Sequence, residues 1–259
     1  MEMENATESW LKSNRTFMKS DFADEDIESD QEKKLPQPPL SKAAVREERI
    51  PLPKEYSEVI QTSDYLQLLG QRKSSRVFQQ EALTLTELAF LLWSTQGVTG
   101  IRGSHYATTR PVPSAGARHP FETYLAVFQV EGLEPGIYHY LPLEHELEWI
   151  SHPEELKELV GVSLCDQTWA AKGAVTFYYT VVPYRSEWRY TVRSHRVMLM
   201  DVGHVMQNLY LSCHAIGCGT CAIAAFHQEE ADRLLQVDGE EEFVLYAAPV
   251  GRIKGSKEE

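Results

Sequence analysis

The basic cluster QRKSSRVF, residues 71–78, contains side chains whose types and spacing could bind an anion. Arg72 and Arg76 are four residues apart, so one helical turn could present both guanidinium groups on the same face. Guanidinium groups bind phosphate through paired hydrogen bonds, and Ser74 and Ser75 add hydroxyl groups. The cluster therefore predicts a phosphate or polyanion site, and the alternative is a solvated basic turn.

Two further segments are rich in small or rigid residues that let a flat ligand approach the backbone. The first is RPVPSAGARHP, residues 110–120, in which Pro113, Ala115 and Gly116 suit an aromatic ring with polar edges. The second is IGCGTCAIAAF, residues 216–226, which follows a long helical pattern. The alternatives are a tight loop at 110–120 and close helix packing at 216–226.

The chain as a whole is acidic, which makes a local basic cluster informative. Its 259 residues include 38 Asp and Glu against 25 Lys and Arg, for a formal net charge of −13. Because phosphate backbones reward clustered positive charge, this balance argues against nucleic acid as the main partner. An anionic ligand must be bound by local cations against the field of the whole protein.

The cysteine content and the absence of long apolar runs predict a reduced, cytoplasmic protein. Four cysteines are too few for a disulfide framework in a chain of this length. No apolar run approaches the roughly 18 residues of a spanning helix, and the opening MEMENATESW lacks the features of a secretory signal, so no membrane partner is expected. Cys218 and Cys221 could suggest a metal, but a single pair in an apolar stretch favours small buried side chains, and no metal is expected.

Alternating helices and strands are predicted from about Pro51 onward, and they must position these segments. Thr84 and Glu87 match a capping box, which predicts the start of a helix that Gly97 ends. Apolar and β-branched patterns predict strands over 121–130, 174–182 and 243–251, a hairpin over 136–150 and a long helix over 196–217. This mixture predicts an α+β or α/β domain.

The first fifty residues differ from the rest in composition. Residues 21–32 include seven acidic residues in twelve, and the prolines of LPQPPL favour an extended path. We predict that residues 1–49 form an acidic N-terminal arm, either disordered or extended around a partner subunit. Residues 50–259 are predicted to form the globular domain.

Taken together, these segments resemble the FMN-dependent nitroreductase family, and more closely its SagB-type branch of azoline (thiazoline) dehydrogenases. The resemblance is carried, in the family's order, by residues 29–40, 72–78, 91–100, 110–127, 131–140, 201–226 and 250–252. It implies the α+β nitroreductase-like fold, with a central, mostly antiparallel sheet flanked by helices. It also implies an intertwined homodimer with the 196–217 helix in the dimer core.

The resemblance implies which residues bind the flavin. Arg72, Ser74 and Arg76 match the motif for the FMN phosphate, ribityl chain and pyrimidine edge, and Lys73 lies within it with its side chain expected to face solvent. The remaining matches are Pro113, Ser114, Ala115 and Gly116 in the loop that packs on the ring, Ile223, Ala224 and Ala225 in the segment facing flavin N5, and Gly251 and Arg252 near the carboxyl terminus. In family dimers the ring-packing loop comes from the other subunit.

The chain departs from the azoline-oxidising branch at its candidate catalytic residues. That branch has a Lys-Tyr pair tied to removal of a ring proton, and the matching residues here are Arg189 and Tyr190. Because arginine stays protonated, Arg189 cannot act as the base that a lysine could become. Tyr190 is a candidate acid or base. Ala224 and Ala225 also stand where glycine is frequent.

The implied function is an FMN-dependent oxidoreductase that passes hydride through flavin N5 by a ping-pong mechanism. Its substrate would be a small organic or heterocyclic molecule, free or within a peptide. One alternative is a nitro or quinone reductase that uses NADH or NADPH. Another is a non-catalytic flavin-binding protein or a scaffold in a peptide-maturation complex.

Overall fold

The computed structural model of the protein describes Met18 and residues 27–254. The helices described are α1 (Tyr65–Gln71), α2 (Leu85–Gln96), α3 (Leu156–Ser163), α4 (Tyr184–Tyr190), α5 (Ser194–Ala215) and α6 (Gln228–Leu235). The strands described are β1 (Ile50–Pro51), β2 (Gly100–Arg102), β3 (Ala107–Thr109), β4 (Phe121–Val127), β5 (Gly136–Leu141), β6 (Glu146–Ser151), β7 (Val175–Val181), β8 (Cys218–Thr220) and β9 (Phe243–Arg252).

Seven strands form one sheet in the order β1-β6-β5-β4-β7-β9-β8, and each neighbouring pair is antiparallel. Strands β4 and β7 are buried along their whole length, because helices cover both faces of the sheet. Apolar side chains of α2 and α5 pack on one face, and those of α3 and α6 pack on the other. The predicted α+β architecture with a mostly antiparallel sheet is confirmed.

Local sequence signals account for the positions of the main elements. Thr84 and Glu87 form the capping box, in which the Glu87 carboxylate accepts the Thr84 N–H at 2.8 Å and Thr84 Oγ1 accepts the Glu87 N–H at 3.2 Å. The predicted strands, hairpin and long helix are confirmed with bounds shifted by a few residues. The helix α5 ends just before Gly217, whose φ of +71° is a conformation that glycine adopts freely.

The described part of the predicted arm makes a turn at residues 30–34 and lies along the domain of the same chain. The Gln31 N–H donates to the Trp188 carbonyl at 2.9 Å, and the Trp188 indole donates to the Leu35 carbonyl at 3.1 Å. Further along, the Lys42 N–H donates to the Glu122 carboxylate at 2.7 Å. Apart from Met18, residues 1–26 lie outside the described residues, so the domain boundaries stay a prediction.

A buried group of charged residues holds this arm on the sheet. His139 lies between two carboxylates, with Nε2 3.1 Å from Glu122 and Nδ1 2.9 Å from Glu148, and Arg185 pairs with Glu122. Glu148 also accepts backbone N–H groups from the arm at 2.7 and 2.9 Å. Burial alone would raise the pKa of Glu122, but Arg185 and His139 outweigh it and hold that pKa well below its usual range. The carboxylate is therefore charged and shared between arm and sheet.

We expect Glu122→Gln to lower the free energy of unfolding by about 3–5 kcal/mol, because it leaves the Arg185 guanidinium buried without a counter-charge. Urea denaturation at neutral pH measures this loss. The control is Glu146→Gln, which removes a half-exposed ion pair with Arg49 at 3.6 Å and should cost less than about 1 kcal/mol. Equal losses in the two variants would contradict the proposed role of the buried group.

Candidate active site

The motif of residues 72–76 and the segment after α5 meet at Tyr210. The Tyr210 hydroxyl lies 3.0 Å from Ser74 Oγ and accepts the Ala222 N–H at 2.9 Å. The Arg72 guanidinium lies 5.2 Å from the centre of the Tyr210 ring, within the range of a cation–π contact. One aromatic side chain of α5 thus fixes the positions of two segments that are far apart in the sequence.

The same cluster presents two cations that no described carboxylate pairs with. Arg72 is half-buried and Arg76 is exposed, and among the described residues neither forms an ion pair. Arg76 lies 5.8 Å from the centre of the Trp169 ring. Ala224 and Ala225 follow Ala222 in the sequence and are exposed. The Ala225 carbonyl accepts a hydrogen bond from the Gln167 side chain. The arrangement can bind an anion. The Lys73 side chain is exposed, as expected.

Arg252 and Gly251 at the end of β9 have partners within the chain. The Arg252 guanidinium pairs with Glu87 at 2.6 Å and Glu81 at 3.2 Å. Gly251 is buried, and a Cβ there would lie 3.0 Å from Phe78 Cδ1. Glycine at this position therefore lets the β9 backbone lie close to the Phe78 ring. A contribution of Arg252 to phosphate binding stays a prediction that requires it to release a carboxylate.

The ring-packing loop is held by Asp201 on α5. Asp201 accepts the Ser114 hydroxyl at 2.7 Å and the Ala115 N–H at 3.1 Å. Burial raises the pKa of this carboxyl, and the two hydrogen bonds oppose that shift. Pro113 is exposed at the start of the loop, so the loop offers an apolar surface while its backbone is fixed from behind.

The candidate catalytic residues lie directly against this loop. Gly116 has φ +58°, and a Cβ on it would lie 2.7 Å from the Tyr190 hydroxyl and 3.0 Å from Arg189 Cδ. Both the backbone conformation and the close approach therefore require glycine. Thr191 follows with φ +53° and ψ −140°, a strained conformation for a β-branched residue.

The two clusters lie on opposite sides of α5. Asp201 and Tyr210 are nine residues apart, which is about 2.5 helical turns and about 14 Å along the axis. One chain therefore brings the 72–76 motif to residues 222–225, and it brings the 113–116 loop to Arg189 and Tyr190. A single chain does not bring these two groups of residues together.

Sequence reasoning missed the residues that organise each cluster: Tyr210, Asp201 and Trp169. Asp201 gave a usable signal, since an acidic residue inside an apolar helix must find a partner. Tyr210 and Trp169 gave no such signal, because aromatic residues are common beside hydrophobic cores.

The comparison with protein-family models identifies the class to which this fold and site belong. The model described as the nitroreductase family matches residues 69–252. The chain therefore belongs to the nitroreductase family.

Two relatives and a solved structure extend this result. The nitroreductase homologue MJ1384 of Methanocaldococcus jannaschii is 36% identical over 185 residues, covering 71% of this chain and 89% of that protein. The trifolitoxin-processing protein TfxB of Rhizobium leguminosarum is 37% identical over 112 residues, but these are 42% of this chain and 30% of TfxB. The Escherichia coli microcin synthetase McbBCD complex with truncated pro-MccB17 contains a chain similar in fold, with a TM-score of 0.59 and 22% identity over 72% of this chain and 73% of that one. These relatives are consistent with the SagB-type branch.

The described residues offer neither a membrane span nor a metal cluster. Within residues 27–254, no helix is both long and apolar enough to cross a bilayer. The same region holds no group of three or more His, Cys, Asp or Glu side chains arranged around a metal position. Cys218 is buried beside Arg252, and burial raises the pKa of its thiol to about 12, so it is a protonated core residue.

His119, at the end of the ring-packing loop, is buried with φ +45°. Burial, together with the charge of Arg110, lowers its pKa to about 3. The unfolded chain therefore binds a proton below about pH 6.5 that the folded chain does not, so this residue makes stability fall as the pH drops from about 6.5 towards 3.

We expect His119→Asn to reduce the slope of unfolding free energy against pH by about 1.4 kcal/mol per pH unit in this window. Denaturant unfolding at several values between pH 7 and pH 4 measures the slope. Asparagine tolerates the left-handed conformation, and His105→Asn, exposed at φ +62°, controls for the same backbone change. A wild-type slope in His119→Asn would contradict a neutral buried imidazole.

Proposed function

We propose that this protein is an FMN-dependent oxidoreductase whose flavin site is completed by a second copy of the chain. The observation that carries the proposal is the separation of the two clusters on opposite sides of α5. One cluster offers cations and hydroxyls for a phosphate, and the other offers a flat loop with Arg189 and Tyr190. Each is half of a site for a ligand that is anionic at one end and planar at the other.

The outer face of α5 supports this pairing. Met200, Gly203, His204 and Gln207 are exposed at the spacing of one helical face, and nothing lies within 4 Å of a Cβ position on Gly203. A second helix can therefore approach closely there. A two-fold axis across this face sets two α5 helices antiparallel, so the Asp201 end of one chain lies near the Tyr210 end of the other. That arrangement would join the two halves of each site.

The first cluster fits the phosphate end of FMN. Arg72 and Arg76 carry charges that no described carboxylate neutralises, and Ser74 adds a hydroxyl, which together offset the acidic field of the protein. Arg76 near the pyrimidine edge would stabilise negative charge on the reduced ring. When bound, FMN supplies hydride transfer at N5 with two substrates in turn, for which ping-pong kinetics are expected. NADH or NADPH is the proposed electron donor.

On the loop side, the chain's own residues position the substrate and hold protons. The Tyr190 hydroxyl, which lies close to Gly116, can donate or accept a proton. Arg189 stays charged, so we do not assign it the removal of a ring proton. We therefore propose a small organic or heterocyclic substrate, as in a SagB-type dehydrogenase, with a nitro or quinone compound as the alternative.

The similarity to trifolitoxin-processing protein TfxB and to the microcin synthetase complex favours a second candidate, a flavin-binding scaffold in peptide maturation. A bound flavin that neither NADH nor NADPH reduces, and that no peptide heterocycle reduces, would favour the scaffold.

We expect Arg72→Ala and Arg76→Ala each to weaken FMN binding by about tenfold to a hundredfold, since a charge-assisted hydrogen bond contributes about 1.5–3 kcal/mol. The FMN content after dialysis, read from flavin absorbance, measures the effect. Lys73→Ala, which removes one neighbouring exposed charge, is the control and should keep its FMN. Full FMN content in both arginine variants would contradict the assignment of the site.

A further inference from the structure

Arg189 is a fixed cation without a carboxylate partner among the described residues. Its Nη1 donates to the Tyr106 hydroxyl at 3.0 Å, and its guanidinium lies 5.4 Å from the centre of the Tyr190 ring. Arg118 lies close by, 4.9 Å from the centre of the Tyr106 ring, and donates to the Tyr106 and Gly116 carbonyls. In a chain of net charge −13, two guanidinium groups thus lie beside the ring-packing loop, and no described carboxylate is bonded to either.

The arm orients Arg189 through a shared hydroxyl group. Gln31 Nε2 donates to the Tyr106 hydroxyl at 2.8 Å, and the Gln31 N–H is bonded to the Trp188 carbonyl at 2.9 Å. The Tyr106 oxygen therefore accepts from both Gln31 and Arg189. Since a phenol oxygen has two acceptor positions and one proton, the Tyr106 O–H is left to donate to something else.

Gln31 and Arg189 border a polar cleft of about 480 Å³ between the arm and the end of α4, which is also lined by Tyr190, Thr191, Arg193 and residues 27–29 and 32. The arm side of the cleft carries Glu28 and Glu32. Glu32 accepts from the Ser29 N–H at 2.8 Å and from its hydroxyl at 2.7 Å, which occupies it within the arm. The negatively charged group of a ligand is therefore repelled by Glu28 and Glu32 on the arm side and attracted by Arg189 on the other side.

We infer that Arg189, together with the Tyr106 hydroxyl, binds a carboxylate carried by an aromatic or heteroaromatic substrate. This inference rests on the proposed function, because the ring of that substrate must reach the flavin that packs on the 113–116 loop. The planar fork of arginine matches a carboxylate through two hydrogen bonds. A monoanion fits better than a phosphate, whose larger negative charge would meet stronger repulsion from Glu28 and Glu32. Arginine in the place of lysine thus acts in recognition together with Tyr106, and Gln31 is a positioning residue.

The test compares benzoate with benzamide, which differ in charge but hardly in shape. On FMN-loaded protein, the change in flavin absorbance gives a dissociation constant for each. We expect wild type to prefer benzoate and Arg189→Gln to lose about tenfold to a hundredfold of that preference, with Arg189→Lys intermediate. Lys33→Gln removes the same charge from the arm, where Lys33 pairs with Asp30 at 3.2 Å, and should leave the preference unchanged.

The roles of Gln31 and Tyr106 are tested by the same two ligands. Gln31→Ala and Tyr106→Phe should weaken benzoate binding and leave benzamide binding as it is, whereas loss of fold would weaken both. Gln37→Ala is the matched arm control, because Gln37 donates to the His105 carbonyl and not to the Tyr106 hydroxyl. Equal affinity of wild type for benzoate and benzamide would overturn the inference, and so would a full preference for benzoate in Arg189→Gln. Normal FMN content in these proteins would at the same time uphold the flavin site. A protein that takes up no FMN would overturn both.

Discussion

The long helix α5 imposes the constraint on which the rest of the site depends. Its buried side packs on the sheet, and its two flanks hold different loops through Asp201 and Tyr210. A helix of fixed pitch sets these two anchors about 14 Å and half a turn apart. Within one chain, the phosphate-type cluster and the ring-packing loop are therefore anchored at different heights and on different sides of this helix. The proposal of a site shared by two chains follows from helix geometry as much as from the similarity to the nitroreductase family.

The buried ionic group performs a second structural task. Charged groups are costly to bury, and Glu122, His139, Glu148 and Arg185 are kept because they satisfy one another and the backbone of the arm. This places residues 27–46 over the sheet and the end of α4, where Gln31 reaches Tyr106. An acidic segment thereby becomes a wall of the cleft that contains Arg189.

Much of the fold could be predicted from the sequence, because its signals are local. The capping box at Thr84 and the apolar runs of β4 and β7 each specify an element within a few residues. The role of the arginine motif stays a prediction from its resemblance to the family. The roles of Asp201 and Tyr210 as anchors could not be predicted. Helical periodicity indicates which residues of α5 face the core, but it does not indicate which side of the helix contacts a distant loop. Arg252 and Glu87 are 165 residues apart, and no local pattern encodes their pairing.

The central claim is that each flavin site takes its arginine motif from one chain and its ring-packing loop from another. It is tested most directly by mixing Arg72→Ala chains with Pro113→Glu chains, each carrying a different tag, and by isolating the mixed dimer. Both parents should be poor in FMN after dialysis, because one lacks a phosphate ligand and the other places a charge in the ring-packing loop, where Pro113 is exposed. In the mixed dimer one site collects both defects and the other collects none, so the account predicts half of the wild-type FMN content. A mixed dimer as empty as its parents would contradict it.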